Sequence, residues 1–312
     1  MDRLIIIAGP TAVGKSAAAV ELAVRQNGSI ISADSMQVYR GMDIGTAKIQ
    51  PSEMHGIPHY LIDIADPAEE WNVVRFQKEA QAAVREITSL GRLPILVGGT
   101  GFYIQSLLYD IDFTETSENT AYRRELSDIA REQGPQALHR LLEEADPRAA
   151  ADIHPNNVKR VIRALEYVHD TGECISGHNE EQRRRPPAYD SVFFCLTMDR
   201  AALYQRIDRR ADRMVEEGLI DEVRMLKERG LGAQNTSMQG LGYRQILAYL
   251  DGEDTLEEAV RQIKLQTRHY AKRQLTWFKR EKDVRWLDVQ RYDSPQKLAD
   301  EMEQVIRSHY TG

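Results

Sequence analysis

The sequence predicts an α/β fold: a parallel sheet covered by helices and interrupted by an all-helical insertion. Three observations predict it. An apolar run, Leu4-Ile5-Ile6-Ile7-Ala8, leads into Gly9-Pro10-Thr11-Ala12-Val13-Gly14-Lys15-Ser16 and then the Ala-rich stretch Ala17–Ala23. That is the strand, glycine loop and helix of a P-loop. Short apolar runs at Ser29–Ala33 and Leu93–Val97 alternate with helical periodicity, as in βαβ units. From about Asp112 the alternation gives way to consecutive helical patterns and returns as a strand at Ser191–Thr197. The expected division is therefore a core of residues 1–112 and 187–312, with an insertion at 113–186.

Composition narrows the class. The chain has 312 residues, 42% hydrophobic and 29% charged, within the range of ordinary globular proteins. No apolar run is long enough to span a membrane, and the sequence opens directly into a strand-like run, so neither a membrane span nor a signal peptide is expected. Cys174 and Cys195 have no C-x-x-C partner. Two buried, reduced thiols in a cytoplasmic protein are expected. A net charge of −7 argues against a nucleic-acid partner unless basic residues are gathered locally.

The elements follow in order. In the loop Gly9–Ser16, the glycines let successive amides surround an anion, Lys15 adds a charge, and the Ser16 hydroxyl is placed to ligate Mg²⁺. A diphosphate or triphosphate is the expected ligand. The strand at Ser29–Ala33 delivers Asp34, Ser35, Met36 and Gln37 to its C-terminal end, where ligands of open α/β sheets bind. Residues 39–48 read as a functional loop, 59–64 as a third strand and 72–89 as a helix ending before Gly91. The strand Leu93–Val97 ends in Gly98-Gly99-Thr100-Gly101, which brings backbone and a hydroxyl near a ligand. No strand ends in the Asp of a second ATPase motif, so ATP hydrolysis has little support.

In the insertion, 114–120 reads as a polar linker, followed by helices at 121–133, 135–144 and 157–170. Lys159, Arg160 and Arg163 project from one side of the last, with Val161, Leu165 and Val168 on its packing side. After the returning strand, a charged helix from Asp199 carries Arg206, Arg209, Arg210 and Arg213. They either fork around phosphate or pair with Asp208, Asp212 and Glu216. Residues 235–244 read as another glycine-bearing loop. On the last long helix, Leu256 to about Lys282, the basic residues Arg261, Lys264, Arg268, Lys272 and Lys279 fall on one side. Ile263, Tyr270, Gln274 and Trp277 fall on the other, the side expected to dock on the core. Such a stripe is the footprint of a phosphate-backbone partner.

With these pieces in order, the chain resembles the bacterial tRNA dimethylallyltransferases. The matching stretches are GPTAVGKS at 9–16, ADSMQVYRGMDIGTAK at 33–48, LVGGTGFYI at 96–104, HPNNVKRVIRALE at 154–166, LYQRIDRRADRMVEEGLIDEV at 203–223, QGLGYRQ at 239–245 and TRHYAKRQLTWFKR at 267–280. The resemblance implies a P-loop NTPase-like core with a helical insertion domain. It implies transfer of a dimethylallyl group from dimethylallyl diphosphate to the exocyclic amine of the adenosine 3′ to the tRNA anticodon, with Mg²⁺, in a monomer. By motif, Asp34 is the general base, Thr100 and Arg206 contact the diphosphate and its bridging oxygen, and Ser16 sits on Mg²⁺. The implied tRNA contacts are Asp34, Ser35, Met36, Gln37, Thr100 and Arg123, then Lys159, Arg160, Val161, Ile162 and Arg163. They continue with Gln239, Gly240, Leu241, Gly242, Tyr243 and Arg244, and end with Lys272, Arg273, Gln274, Leu275, Thr276, Trp277, Phe278 and Lys279. Three alternatives stay open on the residues alone. These are a small-molecule kinase using ATP, an enzyme that prenylates free adenine nucleotides, and a non-catalytic RNA-binding protein with a vestigial loop.

Overall fold

A computed structural model describes residues 1–113 and 121–311; the polar linker expected at 114–120 lies outside the described residues. The chain divides into two compact units, one of Met1–Asp110 with Pro187–Gly312 and one of Ile111–Pro186.

The first unit is built on a six-stranded parallel sheet. Its strands are β1 (Arg3–Ala8), β2 (Gly28–Ala33), β3 (His59–Tyr60), β4 (Leu93–Gly98), β5 (Asp190–Thr197) and β6 (Val284–Asp288), in the order β3-β2-β4-β1-β5-β6. In β1, Ile5 lies opposite Ile95 of β4 and Val192 of β5. Parallel strands are covered on both faces and read as continuous apolar runs, and β1 does so. Its Leu4, Ile6 and Ala8 enter one core layer while Ile5 and Ile7 enter the other. The third strand is shorter than the pattern at 59–64 suggests, because Leu61 and Asp63 take left-handed φ values of 62° and 56° that end the ladder.

Over one face lie α1 (Lys15–Arg25) and, from the far end of the chain, α13 (Pro295–Thr311). The contact is made close by small residues, Ala18, Ala19 and Ala23 on α1 and Ala299 on α13. It is fastened by an Arg25–Asp300 ion pair and a 3.0 Å bond from Gln26 to Glu303. Over the other face lie α2 (Val73–Ser89) and α3 (Gly101–Leu108), with Asn72 capping α2 through a 3.0 Å bond from the Arg75 amide.

The inserted unit carries α4 (Ala121–Glu132), α5 (Pro135–Ala145), α6 (Pro147–Asp152), α7 (Val158–Thr171) and α8 (Ile175–Arg184). Leu126, Leu138, Leu142, Val161 and Leu165 form its own core. Asp146 joins two of these helices, accepting from Ala149 N at 3.0 Å and from Ser176 N at 2.9 Å. Back in the first unit, the Ala188 amide donates to the Leu108 carbonyl at 2.7 Å, so the strands of chain that leave and re-enter the core meet in one hydrogen bond.

The remaining helices are α9 (Arg200–Glu216), α10 (Leu219–Glu228), α11 (Tyr243–Leu250) and α12 (Leu256–Phe278). The loop expected at 235–244 thus runs straight into a helix at Tyr243. Cys195 is buried, its thiol pushed up to about 12 by burial, whereas Cys174 is exposed rather than buried as expected. Among the described residues no helix is long and apolar enough to cross a membrane.

Candidate active site

The phosphate loop occupies the C-terminal end of β1. Gly9 has φ +145°, and a Cβ there would lie 2.6 Å from the Leu196 carbonyl of β5; Gly14 has φ +104° and starts α1. Both positions demand glycine for backbone reasons alone. Lys15 folds back so that Nζ donates to the Pro10 carbonyl at 2.9 Å. Burial pushes its pKa down to about 8, against the attraction of Asp34, which acts to raise it.

A cavity of about 240 Å³ opens beside the loop. Thr11, Ala12, Gly14, Lys15, Ser16, Asp34, Gln37, Gly98 and Arg210 line it, together with Ile30, Ile49, Ile62 and His59. Asp34 is aimed by its own turn: Oδ1 accepts from Met36 N at 2.8 Å and from Gln37 N at 3.3 Å. Gln37 in turn donates to the Thr46 carbonyl at 3.3 Å. The His59 ring is held below its ordinary pKa by burial, and its Nδ1 lies 2.8 Å from the Ile57 carbonyl.

The loop at 39–48 is ordered by two buried charges. Lys48 reaches the Tyr39 carbonyl at 2.8 Å, Asp43 at 2.6 Å and Asp63 at 2.5 Å. Glu222 of α10 accepts from the amides of Asp43 (2.9 Å), Ile44 (2.8 Å) and Gly45 (3.1 Å) and from the Tyr243 hydroxyl (2.5 Å). Neither Lys48 nor Glu222 stood out in the sequence, since single charges carry no periodic signal.

The glycines of Gly98-Gly99-Thr100-Gly101 are each pressed by a neighbour. A Cβ would collide with Ala33 at position 98, with the Gln274 amide at 99 and with the Trp277 ring at 101. Thr100 begins α3 and sits beside the Tyr270 hydroxyl, whose pKa burial pushes up to about 12.

On α9, Arg210 rather than Arg206 lines the cavity. Arg210 bonds the Thr11 hydroxyl, and burial lowers its pKa. Arg206 is exposed and reaches the Val13 carbonyl at 3.4 Å. The competing expectation, pairing within α9, does not hold for Asp208 and Asp212. They pair with α12, Asp208 with Arg268 and Asp212 with Lys264 at 2.6 Å. Arg261 is likewise bound to Glu258 at 2.7 Å, so three members of the expected basic stripe are neutralised.

What remains of that stripe is local. Lys272, Arg273, Thr276 and Trp277, with His269 and Arg280, line an open cleft of about 470 Å³ on α12, and Lys279 is exposed nearby. Gln274 and Phe278 are buried and Leu275 is half-buried. Elsewhere Gln239 and Arg244 are exposed, Leu241 is half-buried, and Gly240 and Gly242 are buried. Tyr243 is fully buried on Glu222, so its side chain faces the core. In the inserted unit Lys159 and Arg160 are exposed and Arg163 is half-buried, while Val161 and Ile162 point into the core. Arg123 pairs with buried Glu166 at 3.1 Å. Asp34, Ser35, Met36 and Gln37 are half-buried, and of these Asp34 and Gln37 line the cavity.

A sequence model of the family described as IPP transferase matches residues 37–281. This chain belongs to the IPP transferase family. A tRNA dimethylallyltransferase of Lachnoclostridium phytofermentans is 56% identical over 306 residues, 98% of each chain. One from Geobacillus thermodenitrificans is 48% identical, over 98% of this chain and 96% of its own. Among solved structures, the full-length tRNA isopentenylpyrophosphate transferase from Bacillus halodurans superposes with a TM-score of 0.75 at 48% identity, covering 99% of this chain and 97% of its own. A eukaryotic dimethylallyltransferase acting on tRNA gives a TM-score of 0.84 at 33% identity, covering 99% of this chain and 79% of its own. The family places the chain among P-loop NTPase-like folds, in agreement with its parallel sheet and phosphate loop.

Proposed function

We propose that this protein is a tRNA dimethylallyltransferase. It transfers the dimethylallyl group of dimethylallyl diphosphate to the exocyclic N6 amine of the adenosine 3′ to the anticodon, and it releases diphosphate. The observation that carries this reading is one cavity in which a carboxylate, Asp34, stands with the phosphate loop and two cations, Lys15 and Arg210. A leaving-group site for diphosphate and a base for the attacking amine are what the reaction needs.

The adenine amine is a weak nucleophile because its lone pair is delocalised into the ring. With Oδ1 of Asp34 committed to two amides, its other oxygen takes the N6 proton as the N6–C1 bond forms. The C1–O bond breaks, and its electron pair leaves on the diphosphate, where loop amides, Lys15 and Arg210 stabilise the charge. Ser16, exposed at the mouth of the cavity, fits Mg²⁺ as one oxygen ligand, since Mg²⁺ retains waters and takes substrate phosphate oxygens rather than requiring an all-protein cage. When bound, Mg²⁺ supplies further charge neutralisation to the departing diphosphate. The target base leaves its stack to reach Asp34, as in other base-modifying enzymes.

The tRNA contacts belong to the exposed cations Lys272, Arg273 and Lys279, to Trp277, to Gln239 and Arg244, and to Lys159 and Arg160. The protein acts as a cytoplasmic monomer. The test is to incubate it with unmodified tRNA, dimethylallyl diphosphate and Mg²⁺ and to weigh the digested nucleosides. A prenylated adenosine is expected. Consumption of ATP with tRNA unmodified, or prenylation of free adenine nucleotides alone, would overturn the reading.

A further inference from the structure

The family motif groups Gln274 with the tRNA contacts, but its geometry gives it another task. The side chain is 5% exposed. Its Oε1 accepts from the Thr11 amide of the phosphate loop at 2.9 Å, and its Nε2 donates to the Gly99 carbonyl at 2.9 Å. Turning the amide over would set donor against donor and acceptor against acceptor, so the two partners dictate the orientation. Gly99 has no Cβ where one would strike the Gln274 nitrogen. One turn earlier on α12, Tyr270 stands beside Thr100 and Gln274.

We propose that Gln274 is a positioning residue for the diphosphate site, clamping the phosphate loop to the Gly98–Gly101 turn. The proposal rests on the reading that the loop holds the donor's diphosphate. By taking the Thr11 amide for itself, Gln274 sets the direction in which the following loop amides point. The side chain touches the loop and not the tRNA.

The experiment compares wild type with Gln274→Met, Gln274→Glu and Gly99→Ala. It measures the Kd of inorganic diphosphate with Mg²⁺, the Kd of tRNA, and kcat and KM for dimethylallyl diphosphate. Gln274→Met has similar volume and no hydrogen bonds; it is expected to weaken diphosphate binding by about tenfold, the scale of one or two neutral bonds, and to raise KM. Its tRNA affinity should stay within about twofold of wild type. Gly99→Ala displaces the same amide and should give the same defect, and combining the two should add little. Gln274→Glu keeps the acceptor for Thr11 and loses the donor to Gly99. Its deficit should shrink relative to wild type as the pH is lowered and the carboxyl regains a proton. Unchanged diphosphate affinity in Gly99→Ala and in either folded Gln274 variant overturns the clamp, as does a loss confined to tRNA. Wild-type protein that binds diphosphate yet leaves tRNA unmodified overturns the function and leaves the clamp standing.

Discussion

Asp34 and Lys15 sit in one cavity, and each makes a separate demand on the chemistry. Asp34→Asn keeps the shape of the turn, since an amide oxygen still accepts from Met36 and Gln37. It cannot take a proton. Single-turnover prenylation should fall by about 10²–10⁴-fold with both substrates still bound. A near-normal rate would remove Asp34 as the base, and rescue by excess Mg²⁺ would move it to the metal shell. Lys15, pushed down from 10.5 to about 8, gives a pH signature. The unliganded amine is charged below that value, so diphosphate affinity should be full there and decline as the pH rises through it. Titrating the Kd between pH 7 and 10 checks this, and Lys15→Ala should flatten that limb. Stability moves the other way. The folded state holds this proton less tightly than the unfolded chain, so burial costs stability below about pH 8 and the cost is relieved as the pH climbs toward 10.5.

At the scale of elements, α9 and α12 are a matched pair. Lys264 and Arg268 are spent on Asp212 and Asp208, which leaves Arg206 and Arg210 of α9 turned toward the phosphate loop. Neutralising Lys264 should therefore leave the salt dependence of tRNA binding unchanged. Neutralising Lys272 and Lys279 should reduce that slope by about one unit per lost phosphate contact, with diphosphate affinity intact. Filter binding between low and moderate salt separates the two results, and equal slopes in both variants would return Lys272 and Lys279 to the solvated surface. This division of labour was not legible in the sequence. The pattern put all five cations on one side of a helix, but an ion pair spanning 60 residues, such as Asp208 with Arg268, has no local trace. Arg206 and Arg210 lie one turn apart and look alike until the loop is in place. The phosphate loop, by contrast, was fully legible, because strand, glycines, Lys15 and helix act within a dozen residues. The strand at 59–64 misled because left-handed turns at Leu61 and Asp63 leave the apolar pattern intact.

At the scale of the whole molecule, the sheet and the inserted helices have separate cores. Replacing residues 111–186 with a short linker should therefore leave a folded core that binds diphosphate and no longer prenylates tRNA. Thermal unfolding with and without diphosphate tests the first half, and nucleoside analysis tests the second. A core that aggregates would show that the insertion is needed for folding. The 2.7 Å bond between Ala188 and Leu108 bears on how the chain comes off the ribosome. β1, β2 and β4 are synthesised before the insertion, and β5 must pair with β1 after it. Left as random coil, the intervening residues would make that closure an entropic search over a long loop. Folded first as a small bundle around Leu126, Leu138, Leu142, Val161 and Leu165, the insertion leaves less free chain between β4 and β5. The late strands then add to the nascent sheet at a smaller loop-closure cost.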